Sequence, residues 1–336
     1  MTILIIGSDG QLGVDCTRQL SGKHHVVAVD FPEIDITSRQ SLSQAWTAHQ
    51  PQVVINCAAY TAVDKCETET EAAWSVNAEG PRNLGEIAAA HGTRVIHIST
   101  DYVFDGTKEV PHSYVEDDPV NPLSEYGRSK LAGEQHLQAS CPGALILRTA
   151  WLYSANGPNF LKTMLRLALS DPARKFTIVN DQFGSLTWSL TLATQIETLL
   201  DSTLGGIVHA TSDSYSSWYE AACYFLDRMG VAQCDRLAKE LEHFPIPQRF
   251  VMPGKRPPCI LVAMPSVVTL GAPQCDLVSV IDAGGSREGH LKQGGQPQRR
   301  LIAAGNAQYA RSVVTAQEVQ LRLRSFPIVL SQQLLD

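Results

Sequence analysis

Tyr126 and Lys130 stand as Tyr-x-x-x-Lys at the start of a segment with helically spaced apolar residues. An i, i+4 spacing puts the phenol and the ammonium on one helix face, roughly 5–6 Å apart at Cβ. A cation so placed favours phenolate and is expected to lower the tyrosine pKa from its ordinary value of about 10. Such a tyrosine can protonate a carbonyl oxygen while hydride reaches the carbon. The pair alone decides nothing, since a surface helix pair has the same spacing. Its weight comes from Ser99-Thr100 upstream and from the N-terminal pattern Gly7-x-x-Gly10-x-x-Gly13.

The elements that must position these residues follow a repeating rhythm. Thr2–Ile6 is a continuous apolar run ended by Gly7, the pattern of a parallel strand buried on both faces. Further runs lie at 25–29 before Asp30, 53–56 before Cys57-Ala58-Ala59, 94–98 before Ser99, and 144–147 before Arg148. Each gap is long enough for a crossover helix, so residues 1–150 are expected to form a doubly wound α/β domain with a parallel sheet. Ligands of such sheets bind outside the carboxyl ends of the strands, where Gly7, Asp30, Ala58, Ser99 and Arg148 fall. Residues 151–258 change rhythm: helices are expected near 160–169 and 190–200, short strands at 176–179 and 206–209, and a helix after Ser217. In that last helix Trp218, Ala222, Phe225 and Met229 are spaced for packing. This part is expected to be a smaller α/β substrate lobe lying over the sheet. Residues 259–336 read as an atypical tail, expected to be poorly ordered apart from a helix at 316–324.

A formal charge of −7 over 336 residues gives no global attraction for nucleic acid or an anionic membrane, so neither is an expected partner. No apolar run of about 20 residues is present to span a bilayer, and the chain enters its first strand without a basic leader. A cytoplasmic protein is expected. The eight cysteines show no Cys-x-x-Cys pair and no metal-ligand spacing with histidine, so reduced thiols and no metal motif are expected.

Gly7-Ser8-Asp9-Gly10-Gln11-Leu12-Gly13 follows a strand and opens a helix. In that context backbone N–H groups and a positive helix end hold the pyrophosphate of a dinucleotide. Asp30 ends the second strand about 20 residues on, where a carboxylate accepts from the adenosine ribose and repels a 2′-phosphate, which argues for NADH. Arg39 is near enough in sequence to complicate that preference. Asp35-Ile36 is placed to close over the adenine, and a helix N-cap is an equally good reading of the aspartate. Ala58 and Ala59 leave room for a flat ring and ribose, although helix packing also selects small residues. The Thr100 hydroxyl can share a developing oxyanion with Tyr126, while Asp101 also reads as a turn residue.

Five segments carry a specific resemblance. They are the glycine pattern with Gln11-Leu12, the run Ala58-Ala59-Tyr60-Thr61-Ala62-Val63-Asp64-Lys65, the stretch from Ser99 to Thr107, Tyr126-Gly127-x-Ser129-Lys130-Leu131-Ala132-Gly133-Glu134, and Arg148-Thr149-Ala150-Trp151-Leu152-Tyr153. Together they resemble the extended short-chain dehydrogenase/reductase superfamily, which is Rossmann-type, and within it most the dTDP-4-dehydrorhamnose reductase family. Asn159-Phe160, Thr163–Leu167 and Asn180-Asp181-Gln182-Phe183-Gly184 extend the likeness to roughly residue 230. The resemblance implies NADPH- or NADH-dependent reduction of the C4 ketone of a dTDP-sugar, dTDP-4-dehydro-β-L-rhamnose, to dTDP-L-rhamnose for surface polysaccharides. It makes Tyr126 the proton donor, Lys130 the residue that holds the nicotinamide ribose, and Thr100 the oxyanion partner. Gly10, Gln11, Leu12, Asp30, Asp35, Ile36, Ala59, Tyr60, Thr61, Tyr126 and Lys130 are then cofactor contacts, and Thr100, Asp101 and Trp151 sugar contacts. Mg²⁺ and a homodimer enter as options, since some members are metal-assisted dimers.

Two departures stand out. Gly184-Ser185-Leu186-Thr187 replaces the family's Gly-x-Pro-Thr, and after Arg256-Pro257 the chain continues as Pro258-Cys259-Ile260-Leu261 where the family has a Ser-x-Leu segment and a closing helix. A shifted reading frame would produce that second departure, and translating the gene in its other frames downstream of codon 257 checks it. Two other functions stay open. One is a nucleotide-sugar epimerase or dehydratase, though Asp101-Tyr102 after Thr100 differs from the Asp-Glu of dehydratases. The other is a non-catalytic subunit, because the family has a relative that binds cofactor and assists an S-adenosylmethionine-forming enzyme.

Overall fold

The computed structural model describes residues 1–171, 175–231 and 237–240. The tail at 259–336, the helix at 316–324 and the Arg256-Pro257 departure lie outside the described residues. The chain opens with β1 (Thr2–Ile6), α1 (Gln11–Leu20), β2 (His25–Val29), α2 (Arg39–His49) and β3 (Val53–Asn56). Short helices α3 (Val63–Cys66) and α4 (Thr70–Trp74) lead through a π-helical turn at Ser75–Glu79 into α5 (Gly80–His91), β4 (Arg94–Thr100), α6 (Glu125–Ser140) and β5 (Leu145–Thr149). The later elements are β6 (Leu152–Tyr153), α7 (Phe160–Ser170), β7 (Phe176–Val179), β8 (Phe183–Gly184), β9 (Thr187–Trp188) and α8 (Ser189–Leu199). They are followed by β10 (Gly206–His209), β11 (Ser216–Ser217), α9 (Trp218–Arg228) and β12 (Leu237–Glu240).

Six parallel strands form one sheet in the order β10-β5-β4-β3-β1-β2. Alternate residues of its strands feed two separate cores, as the period of a strand requires. Ile3, Ile5, Val53, Ile55, Ile96, Leu145 and Leu147 pack with α1 and α8. Leu4, Ile6, Val54, Val95 and Ile146 pack with α2, α5 and α6 on the opposite face. This is the doubly wound α/β architecture read from the sequence.

The boundary expected at residue 150 is not where the sheet ends. Strand β10 pairs with β5, Ile207 opposite Ile146, and α8 buries Leu192, Ala193 and Ile196 in the same core as Leu12, Cys16 and Leu20 of α1. Without β10 the β5 edge would present unpaired backbone groups, so the chain returns from the second lobe to cover it. The remaining late elements build three two-stranded ladders, β8 with β11, β6 with β9 and β7 with β12, and the pair α7 and α9.

Asp15, on α1 and buried, ties this late segment to the dinucleotide helix. Its carboxylate accepts from Ser154 Oγ at 2.9 Å, from Asn156 Nδ2 at 3.1 Å and from Ser189 Oγ. Of the described cysteines, Cys16, Cys57, Cys66 and Cys141 are free, whereas Cys223 is disulfide-bonded, against the expectation of reduced thiols throughout. Among the described residues no helix is long and apolar enough to cross a membrane.

Candidate active site

The sheet order reverses between β1 and β3, and a cleft of 810 Å³ opens at the strand ends on that line. Gly7 leaves β1 with φ +81°, and a Cβ there would lie 2.6 Å from the Ala58 backbone nitrogen. A Cβ on Gly13 would lie 2.1 Å from the Gly7 carbonyl oxygen. Both glycines are therefore needed for the turn to fold onto the helix. Gly10 caps α1 without a side chain, and no acidic residue sits in the first turn, so its free N–H groups face the cleft as a positive end. At the end of β2 the Asp30 carboxylate accepts from Asp9 N at 2.9 Å and Phe31 N at 2.7 Å. These bonds fix it at the cleft wall with lone pairs to spare for ribose hydroxyls. A cradle of bare backbone, a positive helix end and a fixed carboxylate fit a dinucleotide.

Gly7, Gly10, Gln11, Leu12, Asp30, Asp35, Ile36, Ala58, Ala59, Thr61, Tyr126 and Lys130 all line this cleft, as do Thr100, Asp101 and Trp151. Tyr60 does not. Its backbone N–H is held by Asn77 Oδ1 at 2.8 Å and its hydroxyl donates to Glu69. Asp35 is a turn residue, not an N-cap: its Oδ1 accepts from Thr37 N at 2.9 Å, and Ser38 caps α2. Arg39 is paired with Glu86. Arg148, placed by the sequence at a ligand-facing strand end, is turned inward. It is 2 % exposed and binds Glu134 through Nε at 2.9 Å and Nη2 at 2.7 Å, while Ser99 Oγ donates to the same carboxylate.

Ser124 caps α6 by accepting from Gly127 N at 3.0 Å, which places Tyr126 in the first turn and Lys130 one turn on. Gly127 has no alternative, because a Cβ there would lie 2.3 Å from the Tyr102 carbonyl oxygen. The Tyr102 ring meets Tyr126 edge-on, centroids 5.3 Å apart. Lys130 donates to Ile98 O at 2.7 Å, and burial pushes its ammonium down to about 8. The expected lowering of the Tyr126 pKa is not found. Burial pushes the phenol up, Asp101 adds to that, and the hydrogen-bonding Thr100 hydroxyl opposes it. Lys130 is not among the groups that lower it, its own charged form being disfavoured by burial. Thr100 donates to Asp101 Oδ1 at 2.9 Å, and burial pushes the Asp101 carboxyl up to about 7.

The far end of the cleft is aromatic. Trp151 is 9 % exposed and stacks on Trp218 with centroids 3.5 Å apart and planes 8° apart. Phe160 touches Trp218 from a second direction at 4.4 Å. One face of the Trp151 indole is thus covered by another indole. Trp218, read from its spacing as packing, lines the cleft together with Phe160. Its position as first residue of α9, after the Ser217 cap, was the available signal.

Residues 1–260 match the family described as RmlD substrate binding domain. A dTDP-4-dehydrorhamnose reductase of Aggregatibacter actinomycetemcomitans is 39% identical over 252 residues, covering 73% of this chain and 82% of that protein. The chain belongs to the dTDP-4-dehydrorhamnose reductase family. Among solved members of the family, one from Clostridium acetobutylicum superposes with a TM-score of 0.69 at 40% identity, covering 76% of this chain and 88% of that one. A Bacillus anthracis member solved in complex with NADP gives a TM-score of 0.71 at 32% identity, covering 75% and 89%. The family match reaches thirty residues past the 230 at which the motif likeness was expected to end, and stops beside Cys259-Ile260. Among the described residues no group of three or more His, Cys, Asp or Glu is gathered to hold a metal ion, and nothing in the cleft supports Mg²⁺.

Proposed function

We propose that this chain reduces the C4 ketone of a dTDP-4-keto-6-deoxy sugar, dTDP-4-dehydro-β-L-rhamnose, with a reduced nicotinamide dinucleotide. The observation that carries this is convergence: Thr100, Tyr126 and Lys130 open onto the same cleft as the glycine turn and Asp30. The dinucleotide supplies hydride to the carbonyl carbon. Tyr126 is the proton donor, and its raised pKa keeps it in the phenol form that can donate at neutral pH. Thr100 shares the charge on the oxygen as it develops. Lys130, buried and beside the ribose position, stabilises the phenolate left after transfer and exchanges its proton with solvent. Residues 1–150 with β10 and α8 hold the dinucleotide, and the later elements hold the sugar nucleotide.

Asp30 supports NADH over NADPH, since a carboxylate fixed by two backbone N–H groups faces the adenosine ribose and Arg39 is engaged by Glu86. The test is oxidation of NADH and NADPH with the 4-keto sugar nucleotide. Wild type is expected to turn over and Tyr126→Phe to bind dinucleotide normally without turnover. Equal inactivity of both proteins with dinucleotide binding intact would instead make the chain a cofactor-binding subunit.

A further inference from the structure

Trp151 is held in a conformation that its own chemistry disfavours. Its φ is +44°, in the left-handed region that bulky L residues rarely adopt, and such strain persists only where the surroundings over-determine it. Its indole N–H is buried with no acceptor among the described residues. The surroundings are two flat surfaces. On one side lies the parallel Trp218 indole, centroids 3.5 Å apart. Over the Cε2–Nε1 bond of the indole lies the backbone of Gly184, where a Cβ would come within 2.3 Å of Cε2 and 2.5 Å of Nε1.

The stack is imposed by the scaffold. A face-to-face sandwich is the less favourable arrangement of two aromatic rings, which prefer offset or edge-on contact. Here one ladder delivers both surfaces: β11 pairs with β8, Ser216 opposite Gly184 and Ser217 opposite Phe183, and Trp218 follows directly as the first residue of α9. A capping box fixes that helix start, Ser217 Oγ accepting from Glu220 N at 3.1 Å and Glu220 Oε2 accepting from Ser217 N at 2.8 Å. Ser217 Oγ also donates to Asn180 Oδ1 at 2.7 Å.

We propose that Trp218 is a positioning residue for the sugar end of the cleft: clamped with Gly184, it sets the angle at which Trp151 presents its edge and N–H to the sugar nucleotide. The inference rests on the ketoreductase reading. Trp218 touches no reacting atom in this account. It acts through Trp151, and it acts on the sugar without acting on the dinucleotide, whose cradle is built from other elements. A misplacement of about 1 Å at such a site costs up to about 100-fold in rate.

The test is a double-mutant cycle with Trp218→Leu and Trp151→Phe, read as kcat and KM for the 4-keto sugar nucleotide, calorimetric affinity for the same compound, and affinity for the dinucleotide. Trp218→Leu is expected to lower kcat/KM about 10–100-fold, mainly through KM, with dinucleotide affinity unchanged within about twofold. In the Trp151→Phe background the same change is expected to cost less than about twofold, because the residue it acts through is gone. Trp218→Phe keeps a flat surface and is expected to recover most of the loss, while Gly184→Ala is expected to reproduce it with Trp218 present. Near-ultraviolet circular dichroism of the free protein should lose the signal of the coupled indoles in Trp218→Leu. Equal costs in both backgrounds, or a parallel loss of dinucleotide affinity, would overturn the proposal. Wild-type binding without turnover would overturn the ketoreductase reading and leave the calorimetric cycle to decide the clamp; no binding of the sugar nucleotide would overturn both.

Discussion

At the glycine-turn end of the cleft the wall is main chain: Gly7, Gly10 and Gly13 bring bare backbone to the surface, and α1 turns its N–H groups outward. At the opposite end the wall is rings, Trp151, Trp218 and Phe160, brought together from three separate segments. The first end is specified by what is missing, a set of side chains whose Cβ atoms would collide. The second is specified by what is present and by the ladder that aligns it. In the proposed function the main-chain end recognises a feature common to many ligands, a pyrophosphate, and the assembled side chains recognise one sugar. Thr100, Tyr126 and Lys130, the residues proposed to react, line the same cleft.

Substitutions should separate the ends. The largest effect belongs to the shared centre: Tyr126→Phe is expected to lower kcat by about 10²–10⁴-fold with both ligands still bound, measured by steady-state turnover beside calorimetry. A loss confined to binding would mean that Tyr126 belongs to one end only. Below the centre, Glu134→Ala leaves Arg148 buried without its partner and is expected to cost about 3–5 kcal/mol of stability in chemical denaturation, touching both ends alike. Gly13→Ala drives a Cβ against the Gly7 carbonyl and should weaken dinucleotide binding by roughly 10–100-fold, the cost of local backbone strain, with sugar-nucleotide affinity little changed.

The smallest effect is a pH dependence at the sugar end. Burial raises the folded-state Asp101 pKa to about 7, so the folded protein favours the protonated acid. Its contribution to stability is fully present below the ordinary carboxylate range and is lost as pH rises through 7. Between pH 6 and 8 the sugar KM should rise by at most about tenfold as Asp101 ionises, and Asp101→Asn should flatten both that profile and the fall in stability. A KM profile identical in the Asn variant would remove Asp101 from the sugar end.

The sheet was legible because each buried strand is a continuous apolar run with a small or acidic residue at its end, a local signal. Gly7, Asp30 and the Tyr126–Lys130 spacing were legible for the same reason, as was the likeness of their motifs to a known family. Tyr60 is held by Asn77 through its main chain and by Glu69 through its hydroxyl, partners that the strand pattern does not reveal. The Tyr126 pKa was misread because spacing shows a cation one turn away without showing how strongly burial acts on the phenol. Trp218 was read as packing, which it does against two clusters, but helical spacing does not show that it also meets a cleft; Asp15 was missed outright, because a buried carboxylate looks like a surface one until its donors, 139 to 174 residues away, are in place.

Asp15 also sets a rule for anyone recombining these enzymes. A chimera that keeps the first helix and takes its sugar-binding part from another protein must import hydroxyl or amide groups at the positions of Ser154, Asn156 and Ser189. A graft without them seals an unpartnered carboxyl group inside the seam, and the natural crossover points therefore lie after 189 or before 15, not at the visible border between the two halves.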